Sequence, residues 1–417
     1  MLDEIRRART LRSLRLGTRR LLSQQGEMNG LSVARSLVDQ LQQLDDEALH
    51  AFFDFLAREL SPDPQRVLKL AQAYADAPHA QALIALTQGV EPPRQEWLRR
   101  LNRAPGGTAA ILRLRRALLR VLPRQGALHA LEADLLHLLS SWFNPGFLQM
   151  RRVDWNAPAQ LLEKLIQHEA VHAIDGWDDL RRRLQPDRRC FAFFHPQLPD
   201  EPLIFVEVAL LPEMPATIAP LLDKAATPLP PERWRVAAFY GISNCEPGLR
   251  GVSLGNFLIK NVALQLQREL PRIKTFCTLS PIPGLAAWLQ SGPDFAALPR
   301  LKKSQVQALQ QAHALWRQRS PGPQPDAELD AALQQLTAAY LVHVSPTPGG
   351  DPVARFHLDN GARLERINSR GNMSAKGLKQ SCGQMVNYLY DLDRIEASHA
   401  RFRQGDVVRS RAVSALL

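Results

Sequence analysis

A chain of 417 residues exceeds the size of a usual single core, so two domains are expected. Its 45% hydrophobic and 22% charged residues give a globular balance, no run nears the roughly 18 apolar residues of a membrane span, and the N-terminus lacks a signal-peptide core, so a soluble intracellular protein is expected. The net charge of +11 draws polyanions, although a solvated basic face is the plainer reading than a nucleic-acid contact, and the four cysteines form no CxxC pair, which excludes a zinc ribbon and a thioredoxin-type motif.

The first 20 residues interleave Arg6, Arg7, Arg9, Arg12, Arg15, Arg19 and Arg20 with Leu11 and Leu14, followed by Leu21 and Leu22. This reads as an amphipathic helix or a mobile arm, and Asp3 and Glu4 argue against a transit peptide. Residues 30–142 read as successive helices. Leu49, Phe52, Phe53 and Leu56 share one face over 47–60. Ser61-Pro62-Asp63-Pro64 ends that helix, because proline has no amide to donate and its ring collides with the preceding turn. A helix over 65–77 follows, Pro92-Pro93 and Pro105-Gly106-Gly107 punctuate the next pieces, and Leu131, Leu135, Leu138 and Leu139 repeat the pattern over 128–142. No polar chemistry clusters here, so residues 1–146 are expected to form a helical packing or oligomerisation domain.

The Asn144-Pro145-Gly146 turn marks a change of character. Strands are expected over 190–194, 203–210, 236–240 and 274–279, alternating with helices. Arg355–Leu358 and Arg363–Ile367 read as a hairpin around Asn360-Gly361. An α/β domain over 147–417 follows, interrupted by a proline-rich insertion at 211–231 and a helical one at about 292–343.

Several stretches in this domain suggest chemistry. After the strand ending at Tyr240 comes a glycine-bearing turn, Gly241 to Gly255, then a helix whose face is marked by Leu254, Phe257, Leu258, Val262 and Leu266. Glycine lets a backbone approach a ligand, and the free amides and positive dipole end of a helix N-terminus hold phosphate oxygens. Arg250 adds a charged donor. The same residues also suit a turn without a ligand. In Thr278-Leu-Ser-Pro-Ile-Pro-Gly284, Ser280 stands at a strand's carboxyl end, where α/β proteins commonly place ligands. A hydroxyl closing a local turn is the alternative, since no Gly-x-Ser-x-Gly elbow is present. His357, between Phe356 and Leu358 on the short expected strand, reads as a structural histidine or as a proton-transfer group, since its ordinary pKa near 6.5 suits neutral pH. His168-Glu-Ala-Val-His172 matches the zinc-protease pattern on an expected helix starting near Ala157, but no third ligand follows at a recognised spacing.

Taken together these stretches resemble a known family. Arg250-Gly-Val-Ser-Leu-Gly255 is similar to the pyrophosphate loop of GCN5-related acyltransferases, with Ser253 in place of the usual middle glycine. Gly248-Leu-Arg-Gly-Val-Ser-Leu-Gly-Asn-Phe-Leu-Ile-Lys260, Leu279-Ser-Pro-Ile-Pro-Gly284, Phe356-His-Leu-Asp-Asn-Gly361 and Ser381-Cys-Gly-Gln-Met-Val-Asn-Tyr388 resemble, in that order and at similar spacing, the malonyl-CoA decarboxylases. His168 to His172 and Arg188-Arg-Cys190 also look like that family. The resemblance implies a helical domain followed by a GCN5-related N-acetyltransferase-like α/β domain, assembled as a homotetramer. It implies decarboxylation of malonyl-CoA to acetyl-CoA and carbon dioxide, with Ser280 and His357 catalytic. Arg250, Gly251, Val252, Ser253, Leu254, Gly255 and Asn256, with Ser280 and His357, would bind the substrate. His357 would donate the proton to the nascent acetyl group and Ser280 would act near the carboxylate. No metal or organic cofactor is expected, because the thioester itself accepts the electrons. A CoA-dependent acyltransferase or a non-catalytic acyl-CoA binder on the same fold is the alternative, and a zinc hydrolase is a third. The C-terminal Ser414-Ala-Leu-Leu417 is not Ser-Lys-Leu, so a cytoplasmic location is expected, or the mitochondrial matrix if the basic N-terminus is a targeting segment.

Overall fold

The computed structural model describes residues 2–23, 25–252, 254, 258–347 and 349–417, leaving aside the side chains of 2–6 and 25–28. The chain forms two compact units: Met1–Gln149 with Phe194–Glu201 and Glu246–Leu254, and Met150–Phe193 with Pro202–Cys245 and Gly255–Leu417.

The first unit is built on α1 (Leu2–Leu22), α2 (Gln25–Gln42), α3 (Asp46–Glu59), α4 (Pro64–Asp76), α5 (Ala80–Val90), α6 (Pro93–Asn102), α7 (Gly107–Val121) and α8 (His129–Trp142). The basic N-terminal segment is a packed helix, with Leu14, Thr18 and Leu21 fully buried and Arg7 paired with Asp45 and Glu47. Asp45 caps α3 by accepting from Ala48 N at 2.9 Å, and Asp46 and Glu47 oppose the positive end of the helix dipole. That helix buries Leu49, Phe52, Phe53, Phe55 and Leu56, with the Phe52 ring edge-on to Trp97. Gly106, at φ 75°, opens α7 in the left-handed region. By contrast, α4 and α5 bury no residue at all, and Leu68, Leu83, Ile84 and Val90 stand exposed on them.

The second unit is centred on a mixed sheet. The strands are β1 (Gln149–Val153), β2 (Arg188–His195), β3 (Leu198–Leu211), β4 (Val236–Asn244), β5 (Thr275–Thr278), β6 (Ser280–Pro281), β7 (Arg363–Asn368) and β8 (Met385–Leu389), of which Gln149 and residues 194–201 count with the first unit. They are ordered β1-β2-β3-β4-β5-β8-β6, with β7 also on β8. All of β2 and residues 202–211 of β3 are buried, which is why these runs are apolar without alternation. Strands β3 and β4 are antiparallel over Ile204–Leu211, with an irregularity at Glu207/Val208. Strands β4 and β5 are parallel over Val236–Phe239 and Thr275–Thr278, and Leu279 N extends the contact to Phe239 O. Beyond this point β4 continues to Asn244 while the other chain turns away at Ser280. The helices are α9 (Ala159–His168), α10 (Gly176–Arg183), α11 (Ala219–Leu222), α12 (Leu258–Glu269), α13 (Leu285–Gln290), α14 (Lys303–Gln318), α15 (Ala327–Ala339), α16 (Pro352–Asp359), α17 (Ala375–Ser381), α18 (Ile395–Arg403) and α19 (Arg411–Ser414). A helical region followed by a mixed α/β domain is the fold class the resemblance implied.

Two local expectations are overturned. Arg355–Leu358 is not a strand but part of α16, so His357 is helical. Pro352 supplies the helical φ of the first turn and Asp351 caps it, accepting from Val353 N and Ala354 N, each at 3.0 Å. Ala354, His357 and Leu358, three and four apart, are its buried face. Gly361, at φ 78°, belongs to the helix exit rather than to a hairpin, and β7 pairs with β8 instead. The second correction concerns the helix expected to carry His168 to His172. Helix α9 starts at Ala159 and ends at His168, so the two histidines share no helix face.

Candidate active site

Strand β5 and the two-residue β6 deliver Ser280 to the sheet beside β8, where Ser280 lies opposite Val386. Helix α16 brings His357 to the same point. Ser280 Oγ lies 3.0 Å from His357 Nε2 and 2.9 Å from Thr278 Oγ1. Thr278 Oγ1 also accepts Tyr388 N at 3.1 Å, so the serine is referenced to the β8 backbone. The other imidazole nitrogen, Nδ1, is 2.8 Å from the Tyr390 hydroxyl. The Tyr388 ring stacks on the imidazole with centroids 4.7 Å apart and planes 27° from parallel. Tyr388 on β8 and Tyr390 just past its end reach the same imidazole, because the extended backbone continues through Tyr390 N, which donates to Phe276 O at 2.8 Å, and alternate side chains share a face. Asn387, on the opposite face, donates to Thr278 O at 2.7 Å and to Pro215 O at 3.0 Å, fixing β8 against the end of β5.

The pair is shielded from water. Ser280 is 5% and His357 3% exposed. Burial pushes the imidazole down to about 3, so it is neutral in the ligand-free protein. Burial likewise pushes the Tyr388 and Tyr390 phenols well above their ordinary range, so both keep their protons. Either tautomer satisfies the chain: Nε2–H donating to Ser280 with Nδ1 accepting from Tyr390, or the reverse. Among the described residues the buried Tyr388 hydroxyl has no hydrogen-bond partner.

The expected pyrophosphate loop is described in part. Ser253, Gly255 and Asn256 lie outside the described residues. Arg250, Gly251, Val252 and Leu254 lie in the first unit. Arg115 of α7 holds this loop, donating to Gly248 O at 2.6 Å and Arg250 O at 2.7 Å while paired with Glu132 at 2.6 Å. Arg116 adds an ion pair to Glu246 at 2.7 Å, and Glu246 accepts Gly248 N at 2.6 Å. Gly251 takes φ 82°, a conformation that favours glycine. The Arg250 side chain is exposed.

The His168 to His172 stretch builds a loop instead of a metal face. Glu169 accepts Val171 N and His172 N, both at 2.8 Å, through one oxygen, and the Ser243 hydroxyl at 2.8 Å through the other. A carboxylate closing a turn gives the same five-residue spelling as a zinc helix. All four cysteines are buried free thiols.

Ser280 and His357 were both named from the sequence. Thr278, Tyr388 and Tyr390 as their partners were not, although the spacing of the two tyrosines was a usable signal once β8 was recognised as a strand.

Comparison with known proteins gives the family of the chain. The family model for the malonyl-CoA decarboxylase C-terminal domain matches residues 146–417, and that for the N-terminal domain matches residues 60–143. The chain is 36% identical over 351 residues to the mitochondrial malonyl-CoA decarboxylase of Mus musculus, covering 78% of this chain and 71% of the relative. With the enzyme of Anser anser anser the identity is 34% over 378 residues, covering 83% and 75%. The crystal structure of malonyl-CoA decarboxylase from Rhodopseudomonas palustris superposes with a TM-score of 0.86 at 45% identity, covering 97% of this chain and 99% of that one. The Agrobacterium vitis structure gives 0.84 at 43%, with the same coverage. The chain belongs to the malonyl-CoA decarboxylase family.

Proposed function

We propose that this chain decarboxylates malonyl-CoA to acetyl-CoA and carbon dioxide at Ser280 and His357. The observation that carries the assignment is the buried 3.0 Å contact between Ser280 Oγ and His357 Nε2 in a chain of this family. Cleavage of the bond between the malonyl methylene and its carboxylate sends the electron pair into the thioester carbonyl. Carbon dioxide leaves, an enolate remains, and one proton must reach the methylene carbon. A carboxylate docked beside His357 raises the imidazole pKa from its depressed value, so substrate brings a proton onto the ring from solvent. His357 then delivers that proton to carbon, and Ser280, held by Thr278, hydrogen-bonds the carboxylate end. The aromatic walls strip water from the carboxylate, whose charge disperses as the bond breaks. A preorganised donor to the enolate oxygen is worth about 3 kcal/mol. The thioester is the electron sink, so the reaction needs no metal or organic cofactor.

The CoA arm is assigned to the loop of Arg250, Gly251, Val252, Ser253, Leu254, Gly255 and Asn256, where the exposed Arg250 guanidinium suits a pyrophosphate. The edge of β4 beyond Phe239, which β5 no longer covers, gives an extended arm backbone groups to pair with. Remote binding of this kind orients the reacting carboxylate.

The assembly reading is a homo-oligomer, in the tetrameric form implied by the resemblance. Its support is the pair α4 and α5, which hold no fully buried residue while exposing Leu68, Leu83, Ile84 and Val90. Among the described residues no helix is long and apolar enough to cross a membrane. The compartment reading is cytoplasmic, with the mitochondrial matrix as the alternative raised by the named relatives, and fluorescence of the tagged chain in its own cells decides between them.

The test of function is incubation with malonyl-CoA, with and without a chelator, while acetyl-CoA and carbon dioxide are quantified alongside acylation of an added amine. Equal release of both products, unaffected by chelation, is expected. Acyl transfer without carbon dioxide supports the transferase alternative, and activity lost to chelator and restored by zinc overturns the metal-free reading.

A further inference from the structure

The turn after Ser280 has few amides to satisfy, and each is taken by a side chain from elsewhere. Pro281 and Pro283 carry no N–H. Ile282 N donates to Ser381 Oγ at 3.1 Å, and Gly284 N donates to Asp351 Oδ2 at 2.9 Å. The other oxygen of the same carboxylate, Oδ1, accepts Val353 N and Ala354 N at 3.0 Å each. Those two amides open α16, and His357 lies one turn beyond them on the same helix. One carboxylate therefore joins the segment that presents Ser280 to the segment that presents His357.

The surroundings of this carboxylate are unusual for a helix cap. Asp351 is 1% exposed, and among the described residues its charge is met by three amides and the positive end of α16 rather than by a cation. Burial raises its pKa, so the fold spends stability to keep this oxygen pair in place. A cap alone needs one oxygen, and the capping carboxylates Asp45 of α3 and Asp326 of α15 are far more exposed. The approach of Gly284 is also tight: a Cβ there would lie 2.2 Å from the Tyr340 hydroxyl and 3.2 Å from Asp351 Oδ2, so only glycine lets the turn come this near.

We propose that Asp351 is a positioning residue that sets the Ser280–His357 spacing, by tying the turn after Ser280 to the N-terminus of the helix carrying His357. The proposal rests on the reading of Ser280 and His357 as the catalytic pair. Asp351 touches no reacting atom in this account. It acts by holding two groups at hydrogen-bond distance, and a displacement of about 1 Å in such a pair can cost roughly 100-fold in rate.

The chemistry of the carboxylate makes the two ties separable. In Asp351→Asn the amide oxygen still caps α16, but its NH2 group faces Gly284 N, donor against donor, and the tie to the turn opens. Asp351→Ser also caps α16 but cannot bridge to Gly284 as well. The experiment measures kcat, KM and Tm for malonyl-CoA with Asp351→Asn, Asp351→Ser, His357→Asn and the double variant Asp351→Asn/His357→Asn. Loss of kcat by about 10- to 100-fold is expected in both single Asp351 variants, with KM within about threefold of wild type. Asp351→Asn should add little to the loss in His357→Asn, because a tie that works through the imidazole has nothing left to align. Wild-type kcat in Asp351→Asn, with His357→Asn inactive, overturns the proposal. So does a double variant whose loss is the product of the two single losses, which marks a general packing defect. If His357→Asn itself keeps wild-type kcat, the catalytic pair is misassigned instead. Should Asp351→Asn be too unstable to assay, Asp351→Ser, with its helix cap intact, decides by the same comparison.

Discussion

At the scale of single residues, the proposed site is a serine and a histidine whose behaviour is set by what surrounds them. His357 is isolated from water, bonded at both nitrogens and stacked on Tyr388, so its plane and its neutral state are both imposed. Ser280→Ala and His357→Asn are expected to fold and to bind CoA nearly as wild type, while kcat falls by about 10²- to 10⁴-fold, the usual contribution of a positioned proton-transfer group. The loss belongs to kcat because each group acts on charge that develops during the reaction. Steady-state kinetics on the two variants and their double, with CoA affinity as control, checks this. A double variant no worse than the poorer single would show the pair acting as a unit, and wild-type kcat in either single would remove that residue from the chemistry.

At the scale of elements, two features tie helices to function. Arg115 of α7 holds the carbonyls of Gly248 and Arg250, which fixes the backbone of the loop. Arg115→Lys keeps a cation opposite Glu132, but a single ammonium cannot reproduce the planar fork that meets both carbonyls. Loss of one charge-assisted hydrogen bond, about 1.5–3 kcal/mol, should raise KM for malonyl-CoA about tenfold or more with little change in kcat. Unchanged KM in a folded variant would separate this loop from CoA binding. The second feature is the α4–α5 pair. Leu68→Glu with Ile84→Glu places charges on its exposed apolar side. Light scattering should then report a smaller assembly than wild type at the same concentration. A wild-type protein already at the 46.7 kDa mass of one chain would defeat the oligomer reading.

For the whole molecule, buried histidines link stability to pH. Burial holds both His357 and His172 down to about 3, against an ordinary 6.5. Below pH 6.5 the unfolded chain takes up protons that the folded chain refuses, so stability falls as the pH drops from about 6.5 toward 3. Each histidine should cost about 3 kcal/mol by about pH 4.5. Glu207, which burial lifts to about 8, has the opposite slope between its ordinary 4.5 and that value. It is shared by wild type and His357→Asn and cancels in their comparison. Urea unfolding of the two proteins at about pH 7.5 and about pH 4.5 tests the His357 share. The variant should lose less stability on acidification than wild type. Equal losses would mean that His357 is not held neutral by burial.

The order of parts and the chemical groups were legible in the residues alone. Helical spacing in 30–142 marked a helical region, and apolar runs such as Cys190–Phe194 marked buried strands, because periodicity records which side of an element meets the core. Ser280 and His357 were legible through the motifs that surround them. Their meeting was not, since 77 residues separate them and nothing local encodes contact across that distance. The sequence also misplaced His357 on a strand, because Phe356 and Leu358 alternate around it as in a hairpin. Tertiary structure decided otherwise: Asp351, buried and capped onto α16, and the face of Ala354, His357 and Leu358 turned inward make a helix the better burial. The same reason accounts for Glu169. A five-residue pattern cannot tell a helix from a loop, and only the fold brings Ser243 to the carboxylate that the pattern would have given to zinc chemistry. Side chains are written in the chain, but their partners are set by which elements the core packs together.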